Sequence, residues 1–165
     1  MKNILVAYFS CTGNTRSLAG QIATVSKADL YEIKPKIPYT SGDLNWRYNS
    51  SRSNKENNDS SSRPAISGKV ENMAKYDIIF LGYPIWWGQA PKIIYTFLDS
   101  YDFSGKTIVP FCTSGSSQIG SSASNLHKLC SEKTTWLPGS RIAGNTSRSA
   151  IVTWITGLGL NIKAE

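Results

Sequence analysis

The feature that most constrains this chain is the passage from an apolar run, Ile4-Leu5-Val6-Ala7-Tyr8-Phe9, through a hydroxyl-rich turn into a stretch of helical periodicity, Asn14–Val25. A strand with no polar alternation is buried on both faces, as in the interior of a parallel sheet covered by helices. The pattern then repeats. Asp77-Ile78-Ile79-Phe80-Leu81-Gly82 and Lys106–Cys112 read as further buried strands, and Leu30–Ile33 as a short one ended by Pro35 and Pro38. Helices are predicted over Pro91–Tyr101, Ser122–Cys130 and Ser147–Leu158, with a weakly signalled strand between Thr135 and Ile142. Alternation of this kind predicts a doubly wound α/β domain, a parallel sheet with helices on both faces; if its order is 2-1-3-4-5, the turns after the first, third and fourth strands share one edge. At 165 residues one domain, 1–165, is expected.

Between Thr40 and Ile66 the rhythm breaks into a Ser- and Asn-rich excursion. Its low apolar content predicts exposure. Leu44, Trp46 and Tyr48 are read as inward anchors of a helix running to about Lys55, giving an irregular, partly helical crossover able to cover a site at the sheet edge.

In such sheets ligands bind beyond the C-terminal strand ends, where the strand order reverses. The turns after the first, third and fourth strands should converge there. The first is Ser10-Cys11-Thr12-Gly13-Asn14-Thr15. A helix N-terminus offers unpaired N–H groups and a favourable dipole for an anion, and Ser10, Thr12 and Thr15 add hydroxyl donors. No Walker lysine and no G-x-G-x-x-G is present, so the turn suits a terminal monophosphate held by neutral groups. The plainer alternative is an N-cap by Thr12 or Asn14. The second turn, Tyr83-Pro84-Ile85-Trp86-Trp87-Gly88, carries adjacent indoles that either fold back on the core or meet a flat ligand. One is expected to do the former. The third, Thr113-Ser114-Gly115-Ser116-Ser117-Gln118-Ile119-Gly120-Ser121, is small and polar, with Ser121 and Ser122 as helix-capping candidates.

The net charge of +7 is carried by scattered lysines and arginines, so nucleic acid is not expected as a partner, and with no apolar stretch near the ~20 residues of a membrane span neither is a membrane. Cys11, Cys112 and Cys130 have no metal-ligand spacing and, with one histidine, make a metal site improbable. Sparse unpaired thiols and the lack of a leader-like start fit a reducing cytoplasm. Cys11, in the first turn, is read as a partly exposed, reactive thiol or, the preferred reading, as a small buried filler. No catalytic acid–base pair or nucleophile is evident.

Taken together, the three turns resemble the flavodoxin family, over essentially the whole domain and in the family's order. The resemblance implies a three-layer α/β sandwich with a five-stranded parallel sheet of order 2-1-3-4-5, and non-covalent FMN, with its phosphate at Ser10, Thr12, Gly13, Asn14 and Thr15. Its ring would lie among Pro84, Ile85, Trp86, Trp87, Gly88, Thr113, Ser114, Gly115 and Gly120, against one of the two indoles. It further implies a monomeric electron carrier serving redox partner proteins. The alternative on the same fold is an NAD(P)H-dependent quinone or nitro reductase; no nicotinamide motif is visible. Backbone groups near Gly88 are expected to favour the one-electron-reduced flavin, and the aromatic wall to lower the potential of the final reduction. Two features depart from the family pattern. Electron-carrying flavodoxins are usually acidic around the flavin, whereas this chain is basic, and the extra loop of long-chain flavodoxins is missing.

Overall fold

A computed structural model describes residues 1–165. Strand β1 (Ile4–Tyr8) leads through the first turn into helix α1 (Asn14–Ser26), and β2 (Asp29–Glu32) returns beside β1. Two short strands, β3 (Lys34–Pro35) and β4 (Ile66–Ser67), pair antiparallel and close the base of the excursion, which contains helix α2 (Arg52–Asn58). Then follow β5 (Ile78–Pro84), α3 (Lys92–Asp99), β6 (Thr107–Thr113), the paired segments β7 (Thr135–Trp136) and β8 (Ser140–Arg141), and α4 (Arg148–Gly157).

The main sheet runs β2-β1-β5-β6-β7, all parallel, with β8 also on β6. Counting β7 and β8 as one interrupted edge strand, this is the expected 2-1-3-4-5 order that the family resemblance implies. The interruption has a local cause. Ile108 and Cys112 offer their carbonyls to Leu137 and Ile142, so the alternate residue Pro110 also faces the edge strand, and it has no N–H to donate. The register slips there by one residue, from Thr107↔Thr135 to Phe111↔Ser140.

Alternate residues of β1 feed two cores. Leu5, Ala7 and Phe9 join Ile79, Leu81 and the α3 residues Ile93, Ile94 and Phe97 on one face. Ile4, Val6 and Tyr8 join Phe80 with Leu18 and Ile22 of α1 and Ile151 and Ile155 of α4 on the other. Burying each large aliphatic side chain contributes about 1.5–3 kcal/mol, so the sheet and its two helical layers form one cooperative frame.

Two expectations are corrected. The segment expected as a helix over Ser122–Cys130 is a 3-10 helix over Ser124–Leu129. Ser122 is fully buried instead of capping it: its hydroxyl donates to the Ile119 carbonyl at 2.5 Å and lies 3.0 Å from the Tyr83 hydroxyl. In the excursion, α2 begins only at Arg52, and Trp46 and Tyr48 stand 64% and 66% exposed, so they anchor no core. The anchors are polar: Ser51, Ser53 and Asn54 are buried. The Asn54 side-chain amide donates to the carbonyls of Trp46 (2.9 Å) and Tyr48 (2.6 Å). Arg52 donates to Glu56 (2.8 Å) and to the Ile37 carbonyl (2.7 Å) and lies over the Tyr39 ring.

Candidate functional site

The turns after β1, β5 and β6 meet at the C-terminal edge of the sheet around a cleft of about 690 Å³. Ser10, Thr12, Asn14 and Thr15 line it from the first turn, Pro84, Ile85, Trp86 and Trp87 from the second, and Thr113, Ser114 and Gly115 from the third. Gly13, Gly88 and Gly120, expected among the contacts, do not line it. They shape its turns, each with positive φ (93°, 73° and 51°).

In the first turn Gly13 holds the N-cap position of α1 with no side-chain cap, so the N-cap by Thr12 or Asn14 does not form. The Gly13 amide donates to Ser10 Oγ at 3.1 Å, which leaves the Ser10 hydroxyl hydrogen free. The amides of Asn14, Thr15 and Arg16 make no bond within the protein. Thr15 is buried, with its hydroxyl 2.8 Å from that of Thr113. In such a pair one hydroxyl donates to the other and the acceptor keeps its own hydrogen, so one O–H remains available to a ligand. Cys11 is exposed in this turn, contrary to its expected role as filler, and lines the cleft. The desolvating walls push its thiol up to about 11, against the opposing pull of Arg52.

The second turn is a tight hairpin. Trp86 and Gln89 exchange both backbone bonds at 2.9 Å, and the two central residues, Trp87 (φ 49°) and Gly88 (φ 73°), are both left-handed. That is the geometry of primed hairpin turns, where glycine is the natural second residue. It separates the indoles. Trp86 packs edge-on against Phe9 (5.7 Å) and Tyr39 (5.5 Å), whereas Trp87 is 42% exposed. Trp86 is thus the indole folded back on the core, as expected of one of the two, although its rim still reaches the cleft.

The third turn is braced from β8. Arg141 Nε donates to Ser114 Oγ (3.1 Å), and Nη2 donates to the carbonyls of Ser114 (3.1 Å) and Gly115 (3.0 Å). Ser114 Oγ in turn donates to the Ser117 carbonyl. With two carbonyls drawn to the guanidinium, the turn has its N–H groups left for the cleft. Gln89 ties the second and third turns, donating to Ser121 Oγ (3.2 Å) and accepting from the Asn125 amide (2.7 Å).

Five further residues that the turn motifs did not mark complete the wall: Leu44, Trp46, Ser53, Ile142 and Gly144. Ile142 and Gly144 follow the edge strand, so the rule that ligands sit beyond strand ends could have found them. Leu44, Trp46 and Ser53 belong to the excursion, which carries no local motif. None of the residues lining the cleft is charged. The described residues hold no group of His, Cys, Asp and Glu able to bind a metal, and no helix is long and apolar enough to cross a membrane.

A parallel 2-1-3-4-5 sheet with a cleft walled by a hydroxyl-lined first turn and an aromatic second turn defines a doubly wound α/β protein of flavodoxin-like fold. The flavodoxin family profile matches residues 3–158, and the chain belongs to that family. A provisionally assigned flavoprotein from Bacteroides eggerthii is 45% identical, covers 98% of this chain and 100% of its own, and superposes with a TM-score of 0.92. Another from Bacteroides uniformis is 43% identical over 94% of this chain and 98% of its own, with a TM-score of 0.89. A Lactobacillus acidophilus flavoprotein solved in complex with FMN shares 19% identity over 96% of this chain and 99% of its own, with a TM-score of 0.67, a likeness of fold. No curated protein matches the sequence.

Proposed function

We propose that this protein binds FMN in the cleft and serves as an electron carrier between redox partners. The observation that carries the reading is the first turn: three unpaired amides at the start of α1, with the hydroxyls of Ser10, Thr12 and Thr15 beside them and no charged side chain on the cleft wall. Neutral donors converging at a helix N-terminus suit a phosphate monoester. The remaining cleft suits the rest of the nucleotide. Its volume falls within the range of ligand sites, and opposite the hydroxyl-bearing residues its wall is apolar and aromatic, with Leu44, Trp46, Ile85, Trp86, Trp87 and Ile142. The FMN complex of the Lactobacillus acidophilus relative supports the same choice of nucleotide.

Bound FMN would supply reversible one-electron exchange; the protein supplies binding, orientation and electrostatics. In this arrangement Ser10, Thr12 and Thr15 hold the phosphate. Trp87 offers the free indole face to a ring, while Trp86, held by Phe9 and Tyr39, fixes the hairpin that carries it. The Gly88 peptide lies at the turn of that hairpin. The third turn, with its carbonyls engaged by Arg141, offers N–H donors to an acceptor edge. The test is a fluorescence titration with FMN. Wild-type protein is expected to take up the flavin, and the Thr12→Ala/Thr15→Ala double variant to lose affinity. Each lost bond to a charged phosphate is worth about 1.5–3 kcal/mol, or ~10- to 150-fold in Kd. Unchanged affinity would count against the phosphate assignment.

One observation favours the second reading, a reductase. Leu44 and Trp46 of the excursion add a wall to the cleft, as a small-substrate site would require. Mixing the flavin-loaded protein with NADPH separates the two. Persistent colour supports the carrier, and rapid bleaching with quinone turnover supports the reductase.

A further inference from the structure

Ser53 is the one residue of the excursion's cleft wall that carries a hydroxyl; its companions there are Leu44 and Trp46. It lies in the first turn of α2 and is only 2% exposed, yet it reaches the cleft. A helical serine can place its hydroxyl hydrogen on a carbonyl of the preceding turn. Ser53 does not. The single polar neighbour of its Oγ is Ser51 Oγ at 3.5 Å, beyond the usual limit of about 3.0 Å for a bond between hydroxyls. Ser51 Oγ already accepts from the backbone amide of Asn54 (3.4 Å) and from its side-chain amide (3.1 Å). With both lone pairs taken, Ser51 can only turn its hydrogen towards Ser53. The Ser53 hydrogen therefore has no acceptor within the protein. A buried donor in that state is unfavourable until a ligand supplies the acceptor.

The place of Ser53 is set without a ligand. Its amide donates to the Asp43 carbonyl (3.0 Å), Asn54 ties the next residue to the carbonyls of Trp46 and Tyr48, and Glu56 accepts from both Arg52 and Tyr39. Tyr39 in turn packs on Trp86 of the second turn (5.5 Å). The same network sets α2 beside the first turn: after desolvation, the groups that act on the Cys11 thiol are Arg52 and Glu56, on either side of Ser53. The donor thus stands at the end of the cleft where the first turn leaves its amides unpaired. We infer that Ser53 is a fourth hydroxyl of the phosphate cradle, supplied by the excursion beside Ser10, Thr12 and Thr15. The inference rests on the FMN reading above and deepens it. No residue on the cleft wall is charged, so a phosphate there is held by neutral donors alone, and each bond to an ionised oxygen is about twice as strong as one between neutral groups. Ser53 thereby gives the excursion a share in choosing FMN over riboflavin, which has the same ring and polyol but no phosphate.

Two measurements test this. The first needs no flavin and no variant. Amide NMR of the wild-type protein titrated with inorganic phosphate should shift Ser53 together with residues 12–16; shifts confined to the first turn would overturn the inference. The second compares FMN with riboflavin by fluorescence titration. Ser53→Ala should lose ~10-fold in affinity for FMN and keep its affinity for riboflavin, so that the preference for FMN narrows by the same factor. Ser51→Ala removes the cap of α2 but not the proposed donor. It should lower the melting temperature and leave the preference for FMN intact, which separates a contact to phosphate from a merely structural role. Equal losses for both flavins in Ser53→Ala, or no loss for either, would overturn the inference while FMN binding itself stands. Phosphate-dependent shifts at Ser53 in a protein that takes up no FMN would sink the FMN reading alone, and a protein that takes up neither phosphate nor FMN would sink both.

Discussion

Thr15, in the first turn of α1, and Thr113, the last residue of β6, lie with their hydroxyl oxygens 2.8 Å apart, both side chains buried. They are 98 residues apart in sequence. The contact locks the proposed phosphate turn to the third wall of the cleft, so that the two cannot move independently.

Replacing either threonine by valine leaves the other hydroxyl buried without its partner. Each single variant is expected to lose about 1–3 kcal/mol, and the double variant less than the sum of the two. Urea denaturation of the four proteins of the cycle measures this coupling; strict additivity would show that the bond contributes nothing.

Arg141 holds the third turn by three bonds that only a planar fork can make together. Arg141→Ala is expected to raise amide exchange across Ser114–Ser117 and to weaken FMN binding ~10-fold. Arg141→Lys should recover little of either effect. Full recovery by lysine would mean that charge, not the fork, is what matters there.

Cys11 is exposed, yet its thiol is raised to about 11 by desolvation. A raised value leaves little thiolate at neutral pH. Alkylation by iodoacetamide in a Cys112→Ser/Cys130→Ser background should therefore be slow at pH 7 and climb towards pH 11, instead of levelling near the ordinary thiol range of about 8.5. FMN in the cleft should slow it further. A profile that levels off near pH 8–9 would contradict the desolvated setting.

Gly82 is a close-approach position. A Cβ there would come within 2.2, 2.4 and 2.9 Å of atoms of the buried Phe111 ring on the neighbouring strand. Gly82→Ala is expected to cost at least about 1–3 kcal/mol by overpacking. Adding Phe111→Leu should return part of that loss in thermal melts, because it removes the atoms that clash; a neutral Gly82→Ala would refute the packing argument.

The sequence was most readable where local pattern and tertiary role coincide. The apolar run of β1, the periodicity of α1 and the hydroxyl turn between them are each specified within a few residues, and together they predicted the first wall of the cleft. Trp86 and Trp87 were legible as a pair but not individually. Which indole turns inward follows from the left-handed pair Trp87–Gly88 and from Phe9 and Tyr39, the latter brought in by the distant excursion. Trp46 and Tyr48 misled because apolar residues are read as inward-facing. Here Asn54, Ser51 and Ser53 hold the interior of that segment through hydrogen bonds, which have no periodic signature.

The edge strand shows the same division. Pro138-Gly139 marks the break within the segment, but that the break faces Pro110, a residue of another strand, is not written between Thr135 and Ile142. The sequence by itself determined the alternation of strand and helix, and with it the edge of the sheet at which a site must form, because burial periodicity and turn chemistry act over a handful of neighbouring residues. Only the tertiary structure decided which side chains close that site, since Thr15 with Thr113, Arg141 with Ser114 and Trp86 with Tyr39 are pairings between segments that meet only after the sheet has assembled.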